Sequence, residues 1–121
     1  MSITLDGDVG LVGSIEDGTL TAGVAGTADS DGTKSSGTYT PTFAGGNFKS
    51  ITNGGAFTLA PSTLTGTMVI QITNSTSAGA VTTSGYSIVT GDSLSTTGGD
   101  DFLAYSTVIG SFDHLHIVAL Q

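Results

Sequence analysis

Short runs of β-branched and aromatic residues, separated by turn residues, most constrain what this chain can fold into. From Gly37 onward these runs alternate with clusters of Gly, Asn, Asp and Ser, which is the pattern of successive strands and turns. Strands are predicted at 39–43, 48–52, 56–60, 67–74, 86–90, 102–109 and 112–120. We expect an all-β chain that forms a single small β-sandwich or β-barrel-like domain.

The last predicted strand is apolar on both of its faces. Leu115, Ile117 and Ala119 share one face, while Val118 and Leu120 lie on the other with two histidines, because side chains alternate along a strand. The pattern predicts that both faces of this strand are covered.

Asn53-Gly54-Gly55 lies between two predicted strands and is typical of a tight hairpin turn, since Asn and Gly tolerate positive φ angles. The word Ile-Thr-Asn occurs at 51–53 and again at 72–74. We interpret this repeat as a chance echo in a low-complexity β sequence, with a true duplication as the alternative.

The N-terminal third has a different composition from the rest. Residues 18–37 are mostly Gly, Ser, Thr and Asp with few apolar side chains, so this segment cannot build a core by itself. We predict an extended, low-complexity N-terminal arm or loosely structured β segment over 1–36, and a β domain over 37–121. Ser2–Leu5 is a candidate for a strand added to a neighbouring sheet.

Composition limits the core and points to association. The 121 residues are 37% hydrophobic and include 19 Gly, and Gly loses the most backbone entropy on folding. Such a chain gains stability by burying surface against neighbours, which favours a homo-oligomer. The sequence has no Cys, which excludes disulfides and Cys-based zinc sites.

The net charge of the chain limits the classes of partner that it is expected to bind. The formal net charge is −8, with Lys34 and Lys49 as the basic residues, so nucleic acid binding is not expected, because phosphate recognition requires Lys and Arg. No apolar run approaches the roughly 18 residues of a membrane span, and no signal peptide is recognised. We expect no membrane association and synthesis in the cytoplasm of the producing cell.

His114-Leu115-His116 is the one spacing that suggests metal chemistry, since residues two apart on a strand point to the same side. Two ligands are too few for a site, but an oligomer would multiply them. We assign no metal site and no cofactor, and we keep His114 and His116 as candidate metal ligands in an oligomer. The simpler interpretation is that both histidines border the sheet or pair with acidic neighbours.

Enzymatic chemistry is not predicted. The chain lacks the Gly-x-Ser-x-Gly elbow of a serine nucleophile, and both of its histidines lie in one tripeptide. The acidic pairs at 6–8 and 29–31 do not continue into a calcium loop, and the remaining aspartates are typical of turns or strand ends. The eight aromatic residues are predicted to pack in the core, with a sugar-binding platform as the alternative.

Two sequence words stand out between Gly37 and Leu120, Ile-Thr-Asn-Gly-Gly-Ala-Phe-Thr-Leu-Ala-Pro at 51–61 and Leu-His-Ile-Val-Ala-Leu at 115–120. With these words, the stretch resembles the Gly/Thr/Ser-rich β domains of tailed-phage virion proteins. Such domains occur in tail or head fibres and in head decoration or cement proteins, which are small, acidic, Cys-free and often trimeric. The paired histidines also resemble the His-x-His iron sites of some phage tail needles and fibre tips.

The resemblance implies a non-enzymatic capsid decoration protein on the virion surface. Its expected partners are the major capsid protein and copies of itself, with a homotrimer favoured and a pentamer as the alternative. The size, the charge and the arm-like segment fit decoration better than a fibre. A receptor-binding module at a tail or head fibre or spike tip is the alternative, and a bacterial extracellular matrix or surface-layer subunit stays open on composition.

Overall fold

The computed structural model describes residues 26–120, and these residues form strands, turns and bends without a helix. The prediction of an all-β chain is confirmed. The strands are β1 (Asp29–Lys34), β2 (Thr38–Tyr39), β3 (Phe48–Asn53), β4 (Phe57–Leu59), β5 (Gly66–Asn74), β6 (Val81–Thr83), β7 (Ile88–Gly91), β8 (Asp101–Ile109) and β9 (Phe112–Ala119).

The nine strands form two sheets. The large sheet has the order β1-β3-β5-β8-β9-β7, and the small sheet has the order β2-β4-β6. From β1 to β6 the chain passes from one sheet to the other after every strand, and all neighbours within this part are parallel. The first six strands therefore form three stacked coils, each with one strand in each sheet. The antiparallel strands β8 and β9 extend the large sheet.

The Ile-Thr-Asn echo marks neighbouring coils. Ile51, Thr52 and Asn53 of β3 pair in register with Ile72, Thr73 and Asn74 of β5, so the repeated word occupies equivalent positions one coil apart. A parallel ladder stacks like side chains on one another, and this stacking gives the repeat a structural role that a chance echo would lack.

The core lies between the two sheets. Side chains of the large sheet alternate between buried and more exposed positions along β5 and β8, and those that point inward meet side chains of the small sheet. Each fully buried aliphatic or aromatic side chain contributes about 1.5 to 3 kcal/mol. The buried cluster consists of Tyr39, Ile51, Phe57, Leu59, Met68, Ile70, Ile72, Phe102, Ala104, Leu115 and Ile117.

Strand β1 brings part of the low-complexity segment into the large sheet. It pairs with β3 in parallel, and the Lys49 ammonium, which is buried, forms an ion pair with Asp29 at 2.7 Å. The boundary predicted between residues 36 and 37 falls between β1 and β2. The predicted strand at Ser2–Leu5 lies outside the described residues.

The hairpin predicted at Asn53-Gly54-Gly55 is wrong. These residues connect β3 in the large sheet to β4 in the small sheet, and neither glycine has a positive φ. The corner is held instead by the Asn53 side chain, whose Oδ1 accepts hydrogen bonds from Gly55 N (3.3 Å) and Gly79 N (3.2 Å). Parallel stacking requires a turn that changes sheets, which a two-residue hairpin cannot provide.

Candidate interaction surface

The large sheet presents an outer face, which we define as the side chains of β3, β5, β7, β8 and β9 that point away from the core. One row crosses all five strands of this face in register, from β3 through β5, β8 and β9 to β7. Neighbouring strands lie about 4.8 Å apart, so these side chains contact one another across the strands. The row consists of Phe48, Val69, Tyr105, His116 and Thr90.

Large apolar side chains are exposed on this outer face. Phe48 is 42% exposed and Tyr105 is 37% exposed, while Ile109 and Phe112, paired beside the turn between β8 and β9, are 63% and 52% exposed. Ile88 of β7 is 49% exposed. Several large apolar side chains exposed on one face of a sheet make that face a candidate binding surface.

The prediction that the aromatic residues pack in the core is wrong for Phe48, Tyr105 and Phe112. Each lies on the outer face at a position that alternates with inward-pointing neighbours. Among the other aromatic residues, Tyr39, Phe57 and Phe102 are buried, while Phe43 and Tyr86 pack against the core. The sequence signal that could have separated the groups is alternation, since Phe102 and Tyr105 lie an odd number of residues apart on β8 and so point to opposite faces. The prediction that both faces of β9 are covered is not met in the single chain, where Phe112 on the outer face is 52% exposed.

The outer face carries little charge. Within residues 26–120, Asp101 at one end of β8 is the carboxylate that points outward, and it accepts a hydrogen bond from Thr73 Oγ1. Both lysines point inward, since Lys49 is buried and Lys34 lies over the Tyr39 ring at 4.7 Å. The face is thus nearly neutral on a chain whose net charge is −8.

The two histidines lie on the outer face as the strand alternation predicted. His114 Nε2 lies 2.8 Å from Thr90 Oγ1, and His116 Nδ1 lies 2.9 Å from the same oxygen. The ring centroids are 6.3 Å apart, and Tyr105 lies 6.4 Å from His116. Thr90 was not recognised from the sequence, because the register of β7 on β9 brings it to the histidines.

No metal site was assigned to this pair, and its candidate role as metal ligands in an oligomer stays a hypothesis. Within the part of the chain that the structure describes, no three His, Cys, Asp or Glu side chains are grouped so that they could hold a metal ion. A hydroxyl donates one hydrogen bond and can accept another, so Thr90 can bridge the two neutral rings. The pair as found in one chain is therefore a hydrogen-bonded cluster.

The described aspartates fix strands and turns. Asp31 accepts a hydrogen bond from the Tyr39 hydroxyl at 2.5 Å, and Asp92 accepts one from Ala119 N at 2.8 Å. Asp100 accepts a hydrogen bond from Ser95 Oγ. The pair at 6–8 lies outside the described residues.

Two tyrosines have raised pKa values. Burial is the main cause for Tyr39, and its hydrogen bond to Asp31 and the charge of that carboxylate raise its pKa further. Burial also raises the pKa of Tyr86, although its hydrogen bond to Ser106 opposes the shift. The neutral phenols are thus favoured in the folded state over the unfolded one.

These raised pKa values predict alkaline destabilisation. The stabilising contribution is fully present below the unfolded tyrosine pKa of about 10 and is lost as the pH rises above it. At pH near 11 the folded chain should show less tyrosinate absorbance than the same chain in urea, and Tyr39→Phe should reduce this difference. An equal absorbance in both states would contradict the burial of the two phenols.

The outer side of the small sheet offers a second surface, which carries a row of threonines. Thr38, Thr58 and Thr82 pair in register on its three strands, and the hydroxyls of Thr58 and Thr82 are 2.9 Å apart. They line an open depression of about 370 Å³ together with Gly37, Ala56, Phe57 and Ala80. This surface presents hydroxyl groups in a regular row.

None of the residues from 26 to 120 forms a helix that is long and apolar enough to cross a membrane. Comparison of the chain with protein-family models, with curated proteins and with solved structures found no match.

Proposed function

We propose that this chain is a non-enzymatic structural protein of a phage virion, a head decoration or cement protein that binds the outer surface of the capsid. It stabilises the capsid through oligomeric contacts with itself and with the major capsid protein. The observation that carries this proposal is the outer face of the large sheet, where β3, β7, β8 and β9 each carry an exposed apolar side chain and there is almost no charge.

A lattice of repeated subunits accounts for such a surface. An isolated chain would leave Phe48, Tyr105 and Phe112 in water, at a cost that grows with the apolar area. A protein present in many copies buries the same surface each time a neighbour binds. The acidic remainder of the chain keeps unassembled subunits soluble.

The proposal assigns the capsid contact to the N-terminal segment. β1 belongs to the large sheet through its pairing with β3. A truncation that tests this assignment must therefore leave β1 in place. Removal of residues 1–25 leaves all nine described strands in place. A longer truncation to Gly37 would remove β1 and test folding and binding together.

The test compares the full chain with the chain that lacks residues 1–25 for binding to expanded capsids without decoration. The full chain should bind saturably and raise the temperature at which the capsids open, while the truncated chain should keep its circular dichroism spectrum and bind at least about tenfold more weakly. Equal binding by both chains would refute the role of the N-terminal segment. No binding by the full chain would refute the decoration role.

The row of threonines favours a second candidate function. In a receptor-binding module at a tail or head fibre or spike tip, Thr38, Thr58 and Thr82 would donate and accept hydrogen bonds with a host polysaccharide. Saturable attachment of the purified chain to host cells, weakened by Thr58→Val, would support this function. Absence of attachment at high protein concentration would remove it.

A further inference from the structure

We infer that the outer face binds the outer face of a second copy of this chain, with Tyr105 and His116 near the centre of the contact. The inference rests on the proposed oligomeric function and names the surface that makes the contact. Two sheets pack face to face at about 10 Å when both present side chains that interdigitate.

The first argument is continuity. Val69, Tyr105 and His116 are direct register partners on β5, β8 and β9, so their side chains adjoin across three neighbouring strands. Ile109 and Phe112 lie on the same face beside the turn between β8 and β9, and Thr107 and His114 lie between them and the row. Ile88 adjoins His114 on β7. The exposed apolar side chains therefore share one face with polar side chains between them, a mixture that is common in protein interfaces.

The second argument is size. The five strands are 6, 9, 9, 8 and 4 residues long from β3 to β7 across the sheet. With about 3.3 Å per residue and about 4.8 Å between strands, they give a face of about 24 by 24 Å. That area, about 570 Å², is close to the roughly 600 Å² that each partner contributes at the lower end of standard protein interfaces. A second sheet of the same dimensions would cover it.

The third argument is charge, and it selects a second copy as the occupant. Two chains that each carry a net charge of −8 repel one another through their acidic surfaces. The outer face, with Asp101 as its outward-pointing carboxylate at one end among the described residues, is where two copies can approach without bringing many carboxylates together. A basic partner would gain more electrostatic attraction by binding the acidic surfaces outside this face.

Sedimentation of the full chain over about 5 to 200 µM tests this inference with three variants. Tyr105→Glu places a charge at the centre of the face, and Ile109→Glu places one beside the exposed turn. Thr38→Glu adds the same charge on the outer side of the small sheet and is the matched control. Thermal unfolding of each variant establishes that it folds.

The wild type and Thr38→Glu should sediment as a dimer or a larger species, while Tyr105→Glu and Ile109→Glu should dissociate at least about tenfold more readily. A monomeric wild type throughout this range would overturn the inference, as would equal weakening by all three variants. A wild type that is monomeric but binds capsids would refute the inference and leave the proposed function standing. Self-association without capsid binding would refute the proposed function and leave the inference standing.

Discussion

Asn74→Ala is expected to lower the free energy of unfolding by about 3 kcal/mol, because several buried hydrogen bonds end on this one side chain. Asn74 is 3% exposed at the end of β5. Its Nδ2 donates to Ser95 O at 2.9 Å and to Thr97 O at 3.0 Å, and its Oδ1 accepts from Asn53 Nδ2 at 2.9 Å. Alanine would leave two carbonyl groups and one amide without these partners.

The same side chain joins two coils and the loop that follows. Asn53 lies one coil below Asn74 and also donates to Gly79 O at 2.9 Å, so the asparagine pair ties the corner after β3 to the corner after β5. Urea unfolding followed by circular dichroism measures the change. All variants should be compared at one protein concentration, because association adds to the apparent stability.

Asn47→Ala is the matched control for this prediction. The Asn47 side chain is exposed and donates one long hydrogen bond, to Thr67 O at 3.3 Å. Its loss should change the free energy of unfolding by less than about 1 kcal/mol. Similar effects of the two substitutions would show that the asparagine pair does not hold the coils together.

Leu115→Ala is expected to cost about 3 to 4 kcal/mol, because it removes a completely buried side chain from the centre of β9. Leu115 is 0% exposed, and it pairs with Ser106 of β8 and with Val89 of β7. Removal of its isobutyl group leaves a cavity between the sheets that the paired strands cannot close. The midpoint of urea unfolding should fall accordingly.

Leu64→Ala makes the same chemical change at a site that is 61% exposed, in the loop before β5. It should alter the free energy of unfolding by about 0.5 kcal/mol or less. If Leu115→Ala is as mild as Leu64→Ala, the packing of the two sheets around β9 is incorrect.

The longer strands could be predicted because each alternates strictly over many residues. The expected strands at 67–74 and 112–120 correspond to β5 and β9, and the expected strand at 102–109 corresponds to β8. One buried face and one exposed face leave a period of two in the sequence. Five to nine residues are enough to make that period clear.

Two strands left no such signal. β1 has the sequence Asp-Ser-Asp-Gly-Thr-Lys, without an apolar residue, and it is held by backbone pairing with β3 and by the ion pair of Asp29 with Lys49. β6 is three residues long, too short for alternation to be recognised. The stacking of coils determined both strands, and this depends on contacts between residues that are distant in sequence.

The candidate surface was predictable in part. Alternation placed His114 and His116 on one side of β9, on the same face as apolar residues of that strand. Thr90 and Phe48 lie in the same row as His116 because of the order of the strands in the sheet. Alternation does not distinguish parallel from antiparallel neighbours, so it could not specify that order.

The central claim, a structural role on the head of a virion, is tested most directly by locating the chain in purified particles. Antibody labelling in electron microscopy, with copy number taken from a stained gel, gives both position and abundance. We expect label over the whole head and a copy number comparable to that of the major capsid protein. A few copies confined to the tail or to fibre tips would contradict decoration and favour the receptor-binding module.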